Sequence, residues 1–201
     1  MRLLNIWNKQ KIFAIGFHKC GTTSLHRFFE RNNIRSAHFR AERGYIATIF
    51  SLNHQKKRDM LSNLRRYAAF SDMCFHTDDA WIEANRFFPV FHTQYPDALF
   101  IFNDRPVDSW IRSRKNKEGF VDLACSYFRS TPSEVEAMWR KQYLEHRQAC
   151  LNYAPRMKNF LHFDIENDSP NKLISFVRRS FIVADGTYQL ENPTTASKLD
   201  N

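Results

Sequence analysis

The stretch "KIFAIGFHKCGTTSLHRFFE", Lys11 to Glu30, constrains the fold more than any other. An apolar run, Ile12 to Ile15, meets Gly16 and Gly21, and Lys19 stands between the two glycines. Thr22, Thr23 and Ser24 then open a segment that puts Leu25, Phe28 and Phe29 on one helical face. A buried strand that passes through a glycine turn straight into a helix makes a phosphate cradle. Successive amides of residues 19–24 can curl around an anion, and the positive end of a helix over 22–32 faces it. The glycine spacing matches GxxxxGK[ST], where the lysine follows the second glycine and the next hydroxyl holds magnesium. Here Thr22 takes that lysine's place, and Lys19 enters from inside the loop, where it can reach a bridging oxygen. Glycines that serve only to make a turn are the plain alternative. The internal lysine and the Thr-Thr-Ser helix start count against it.

The rest of the chain alternates in the same way. Extended segments are expected at 11–16, 35–39, 70–75, 98–104 and 159–165. Helices are expected at 22–32, 56–69, 79–88 and 106–115, then from Thr131 to Tyr153, and from Ser169 to Arg179. Thr131-Pro132-Ser133-Glu134 is a capping box with proline at the first helical position. Strands alternating with helices imply a parallel sheet with right-handed crossovers, an α/β fold in three layers, and 201 residues suit a single domain over 1–201. In such sheets ligands bind beyond the carboxyl ends of the strands. The loop at 16–24 lies at one such end.

A second motif lies at another. "NDRPVDSWIRSR", 103–114, follows the continuous apolar run "ALFIF" and carries Arg105 at the strand end and Ser113 eight residues on. Arginine offers a planar fork of donors to a phosphate, and serine adds a directed hydroxyl. "GFHKCGTTSL" resembles the 5′-phosphosulfate loop of sulfotransferases that use PAPS (3′-phosphoadenosine 5′-phosphosulfate), closest to the compact bacterial-type members. Arg105 and Ser113 resemble that family's 3′-phosphate motif. The resemblance is specific over 11–32 and 95–116, loose over "NFLHFDIENDSPNKLISFVRR", and poor over 40–94 and after 185. It implies a fold like that of P-loop nucleotide kinases and sulfuryl transfer from PAPS to a hydroxyl or amine of a carbohydrate or small metabolite. It further implies a donor site built from Gly16, His18, Lys19, Cys20, Gly21, Thr22, Thr23, Ser24, Arg105 and Ser113. The C-terminal R-K-G element of the larger members is missing, so the adenine and 3′-phosphate contacts must be completed differently.

Sulfuryl transfer needs in-line displacement with charge building on the leaving oxygen, a task for Lys19 and the loop amides, with no metal implied. An acceptor hydroxyl needs a base. Asp72 in "FSDMCF" ranks first, His38 in "SAHF" second and His76 third, each with a structural role as the alternative. A kinase with Asp104 as a magnesium ligand is the rival enzyme, and a nucleotide-binding module without catalysis is a further alternative. The net charge of +9 comes from dispersed basic residues with no nucleic-acid motif beside them. Four widely spaced cysteines fit free thiols in a reducing compartment. His18-x-Cys20 and Cys74-x-His76 find no further ligands at zinc spacings. No apolar run is long enough to span a membrane, the N-terminus lacks a secretory signal's apolar block, and the expected compartment is the cytoplasm.

Overall fold

Side-chain alternation in the first strand sets the layers. In the computed structural model, which describes residues 9–191, strand β1 (Ile12–Ala14) points Ile12 and Ala14 to one side and Phe13 to the other. The chain continues as α1 (Thr22–Arg31), β2 (Ser36–His38), β3 (Arg40–Ala41), β4 (Gly44–Tyr45), α2 (Ile46–Gln55), β5 (Ala69–Ser71), β6 (Cys74–His76) and β7 (Trp81–Glu83). A 3₁₀ turn (Ala84–Phe87) leads into α3 (Phe88–Gln94), β8 (Leu99–Asp104), α4 (Val107–Lys115), α5 (Phe120–Phe128) and α6 (Pro132–Tyr153). A second 3₁₀ turn (Ala154–Arg156), β9 (Phe160–Asp164) and α7 (Pro170–Val177) follow.

The main sheet has the order β4-β3-β2-β5-β1-β8-β9. Its five strands β2, β5, β1, β8 and β9 run parallel, and β3 and β4 extend one edge antiparallel. On one face Ile12, Ala14, Leu99 and Ile101 pack against Leu25, Phe28 and Phe29 of α1 and Leu173, Ile174 and Val177 of α7. On the other, Phe13, Phe70, Phe100 and Phe102 meet Phe50 of α2, Phe88 and Phe91 of α3 and Cys150 of α6. The result is the three-layer α/β/α arrangement of P-loop-like proteins. Phenylalanine dominates the second face: the Phe13 ring lies 4.6 Å from Phe91, 5.4 Å from Phe70 and 5.5 Å from Phe100. A third cluster, with Phe17, Trp110, Phe120, Trp139 and Tyr143, lies beneath the loop that follows β1.

The expected elements at 11–16, 22–32, 35–39, 98–104, 106–115, 131–153, 159–165 and 169–179 all form, within a few residues at their ends. Two expected helices do not. The helix expected over 56–69 lies earlier, at Ile46–Gln55, and residues 56–68 form turns instead. Asn53 Nδ2 donates to the carbonyls of Met60 and Ser62, and Asp59 Oδ1 accepts from the Leu61 amide. Such side chains satisfy the backbone locally and displace the helix. Over 79–88 the chain forms β7, paired antiparallel with β6 through Cys74↔Glu83 and His76↔Trp81, and only then turns helical. Helix α5 was not foreseen. No helix among the described residues is long and apolar enough to cross a membrane. The first eight residues, on which the targeting expectation rested, lie outside the described residues.

Candidate active site

Strands β1, β5, β8 and β9 all end at one cavity of about 530 Å³, a size that suits a small-molecule ligand. Lys19 follows β1, Asp72 follows β5, Arg105 follows β8, and Ile165 with Glu166 follows β9. His18, Gly21, Thr22, Thr23, Ser109, Arg112, Ser113 and Lys117 complete most of the wall, and Leu190 and Glu191 close it from the C-terminal segment.

The loop between β1 and α1 is held from behind. Three consecutive carbonyls accept side-chain donors: His18 from Trp110 Nε1 (2.9 Å), Lys19 from Arg105 Nη1 (2.8 Å) and Cys20 from Asn103 Nδ2 (2.7 Å). Asn103 Oδ1 also takes the Gly16 amide at 2.9 Å, so one side chain clamps both ends of the turn. These bonds fix the orientation of the loop's peptide planes. Lys19 and Gly21 both take left-handed backbone angles, φ 68° and 67°. Successive amides in such turns form an anion-binding concavity. Helix α1 starts there with no side-chain cap, so its first amides have no acceptor within the helix. By contrast, α6 begins with a complete capping box at Thr131 and Glu134.

The two glycines serve different ends. A Cβ on Gly16 would lie 1.9 Å from the Asn103 carbonyl oxygen, so only glycine lets β1 and β8 approach so closely here. Gly21 supplies its positive φ, and a Cβ there would press Ile165 at 3.1 Å.

Of the residues expected at the donor site, His18, Lys19, Gly21, Thr22, Thr23, Arg105 and Ser113 line the cavity. The other three serve behind the wall. Gly16 packs on Asn103, and Cys20 is buried with its sulfur 3.8 Å from the Tyr143 hydroxyl. Ser24 uses its hydroxyl to accept the Glu191 amide at 2.8 Å. Burial pushes the Cys20 thiol up to about 12, which makes it inert at neutral pH. Burial and the nearby Lys117 hold the Lys19 ammonium below its ordinary pKa, against the pull of Asp72. The Lys19 charge is therefore poorly solvated, and an anion in the cavity would relieve it.

Asp72 faces the cavity, while His38 stands behind it. His38 Nε2 lies 3.7 Å from Asp72 Oδ2, its Nδ1 lies 3.1 Å from Ser71 Oγ, and its ring stacks on His26 at 5.0 Å. Burial lowers the His38 pKa, and the Asp72 charge opposes this. Asp72 itself has φ 54°, an uncommon backbone state for a residue other than glycine. Phe39, just past β2, has φ 59°. Three neighbouring strands, β1, β2 and β5, thus each lead into a left-handed non-glycine residue at this edge of the sheet.

His76 takes no place in the cavity wall. It joins a buried chain in which Arg114 Nε donates to His18 Nε2 (3.3 Å), Arg114 Nη2 donates to Glu83 Oε1 (3.4 Å), and Glu83 Oε1 lies 3.0 Å from His76 Nε2. The fold thereby supplies what sequence spacing did not: Glu83 completes a four-residue set with His18, Cys74 and His76, whose ligand atoms lie within 4.8 Å of one another. Two of the four, His18 and Glu83, already share a cation. The Arg114 guanidinium is fully buried, 4.4 Å from the Trp110 ring and 4.5 Å from the Trp139 ring. A divalent ion would have to displace it from both His18 and Glu83. The set does not suit a metal, and its contacts tie the loop to α4 and β7.

Asp104, the magnesium ligand of the rival kinase reading, lies outside the cavity wall. Its Oδ1 accepts from the Tyr143 hydroxyl (2.5 Å) and the Arg105 amide (2.9 Å), and its Oδ2 accepts from Arg147 Nε (2.9 Å) and lies 2.7 Å from His162 Nε2. Sequence reasoning missed several wall residues. Arg112 and Lys117 lie in the basic run that follows Arg105, and Glu166 lies in the acidic turn after β9, so both carried a signal. Leu190 and Glu191 carried none.

Comparison with known proteins adds two findings. The family model described as "Sulfotransferase domain" matches residues 11–118, more than half of the chain and the whole of both motifs. A search of curated proteins finds no match.

Proposed function

Because the chain belongs to the sulfotransferase family and is a sulfuryl-transferring enzyme, we propose that its donor is PAPS and its acceptor a hydroxyl or amine of a carbohydrate or small metabolite. The observation that carries this is the convergence of the Lys19 loop and the Arg105–Ser113 pair on one cavity, although the two motifs lie far apart in sequence. The residues fit the donor. The amides at the start of α1, with Thr22 and Thr23, suit the 5′-phosphosulfate, and Arg105 with Ser113 suits the 3′-phosphate. The buried Arg105 Nε has no protein partner, as expected of a group that awaits an acceptor. When bound, PAPS supplies the sulfuryl group and leaves as adenosine 3′,5′-bisphosphate.

Lys19 then stabilises negative charge at the bridging oxygen, and the loop amides add fixed dipoles that need no rearrangement. Asp72, which also lines the cavity, takes the acceptor proton. His38 positions Asp72 from behind. Neither Asp104 nor the Arg114 cluster has room for a metal duty, which favours this reading over the kinase. We take residues 1–201 to act as one domain. The four free cysteines, none of them in a disulfide, suit a reducing compartment, and we place the protein in the cytoplasm.

The test is a thermal-shift comparison of adenosine 3′,5′-bisphosphate, ATP with magnesium, and single-stranded DNA. The bisphosphate alone should stabilise the protein; stabilisation by ATP with magnesium alone would return the kinase. Arg105→Ala should weaken the bisphosphate by about 1.5–3 kcal/mol, the range for a charge-assisted partner, and leave adenosine 5′-phosphate unaffected.

A further inference from the structure

Arg105 is not free in this structure. Its Nη1 donates to the Lys19 carbonyl at 2.8 Å, and its Nη2 is paired with Glu166 Oε1. Both residues line the cavity. The Arg105 side chain is only 8% exposed and Glu166 is 29% exposed, so the arginine is fixed and the glutamate has a path to solvent.

The turn that carries Glu166 is built to hold it there. The Glu166 and Asn167 amides donate to Asp164 Oδ1 at 2.9 and 3.1 Å, and the Asp164 amide donates to Asp168 Oδ2 at 2.8 Å. The remaining cavity acids are engaged elsewhere. Glu191 pairs with Arg31 at 2.6 Å, and Asp72 lies beside His38. Glu166 is thus the carboxylate set against the guanidinium that a 3′-phosphate would need. A nearly buried guanidinium without a counter-charge is costly, and Glu166 removes that cost. A phosphate dianion offers more charge and more acceptors than a carboxylate, so it can displace Glu166 toward solvent.

We infer that Glu166 is a built-in competitor for the 3′-phosphate: it occupies Arg105 in the empty enzyme and yields it when donor or product binds. The inference rests on the PAPS reading above. Its consequence is symmetric. Donor and product carry the same 3′-phosphate, so Glu166 weakens both and hastens departure of the bisphosphate, and product release limits turnover in many enzymes.

The experiment is calorimetric titration of wild type, Glu166→Gln and Glu166→Asp with adenosine 3′,5′-bisphosphate and with adenosine 5′-phosphate. Glu166→Gln should tighten the bisphosphate about tenfold more than the monophosphate, the scale of freeing one charged partner. Glu166→Asp, which keeps the charge but shortens its reach, should move the same way by less, and it stands in if the glutamine variant fails to fold. In an Arg105→Ala background Glu166→Gln should give no such gain, because the pair is the unit that matters. Equal gains for both nucleotides would show a general charge effect and overturn the inference. So would unchanged or weaker bisphosphate binding by Glu166→Gln, given a wild type that does prefer the 3′-phosphate. A wild type indifferent to the 3′-phosphate would overturn the PAPS reading, and this inference with it.

Discussion

The two walls of the cavity are built in opposite ways. The wall proposed to hold the donor comes from two short, contiguous stretches, the loop between β1 and α1 and the strand end that leads into α4. Its polar backbone groups are fastened by side chains of those same stretches: Asn103, Arg105 and Trp110 take the carbonyls of Cys20, Lys19 and His18. The wall proposed to face the acceptor has Asp72 after β5 as its lining residue, held from behind by side-chain pairs with His38 of β2 and with Cys74 of β6, the latter at 3.4 Å. A site for a fixed nucleotide profits from a rigid backbone. A site for a variable acceptor can rest on replaceable side chains.

The sharpest break of this contrast is Gly16→Ala. The new Cβ would fall 1.9 Å from a backbone oxygen that cannot move without parting β1 from β8. We expect a loss above about 3 kcal/mol, in the tail reserved for severe core lesions, read as collapse of the urea midpoint. A variant that unfolds at the wild-type midpoint would show the donor wall to be far softer than described.

Next in size is a matched pair. Lys19→Ala should lower kcat about 10²-fold, the scale of losing one oxyanion donor, with a smaller loss in bisphosphate affinity. Asp72→Asn should lower kcat by a similar factor while bisphosphate affinity and donor KM stay put, since a base acts on the acceptor proton. If Asp72→Asn instead weakened the bisphosphate in step with kcat, Asp72 would belong to the donor wall.

The smallest effect concerns Asp104. Burial alone would raise its pKa, but hydrogen bonds from His162, Tyr143 and Arg147 hold it below the ordinary 3.8. A carboxyl lower in the folded than in the unfolded chain stabilises above the ordinary value, and that stability is lost as pH falls through the folded value. Asp104→Asn should therefore cost about 1–3 kcal/mol at neutral pH, less as the medium is acidified, with no change in the response of turnover to EDTA. A stability loss that is the same at pH 7 and pH 3 would remove Asp104 from the acid-sensitive groups.

The same contrast explains what could be read in advance. The donor wall was legible because glycine, lysine and hydroxyls at fixed spacing along one chain segment dictate their own geometry. The parallel sheet was legible because apolar runs such as Leu99–Phe102 leave no other packing. The acceptor wall was obscure over 40–94, where local side-chain bonds of Asn53 and Asp59 replaced an expected helix and where β6 and β7 form a hairpin of three-residue strands. Asp72 was marked from its strand end and from the family resemblance; its partnership with His38 depends on β2 lying beside β5, which no spacing reveals. Glu83 stayed hidden for the same reason, as its partners His76 and Arg114 lie on two other segments, β6 and α4.

The position of β1 has a consequence for how the chain comes to life on the ribosome. β1 is made first yet lies inside the sheet between β5 and β8, and Asn103, which clamps its loop, lies 87 residues from Gly16. Through much of synthesis the loop exists as sequence without shape. Contacts of such long span form slowly and leave apolar strands exposed meanwhile. The shape of this loop is therefore a late-acquired property of the nascent chain, gained only after β8 has paired with β1 and β9 has brought Ile165 against Gly21.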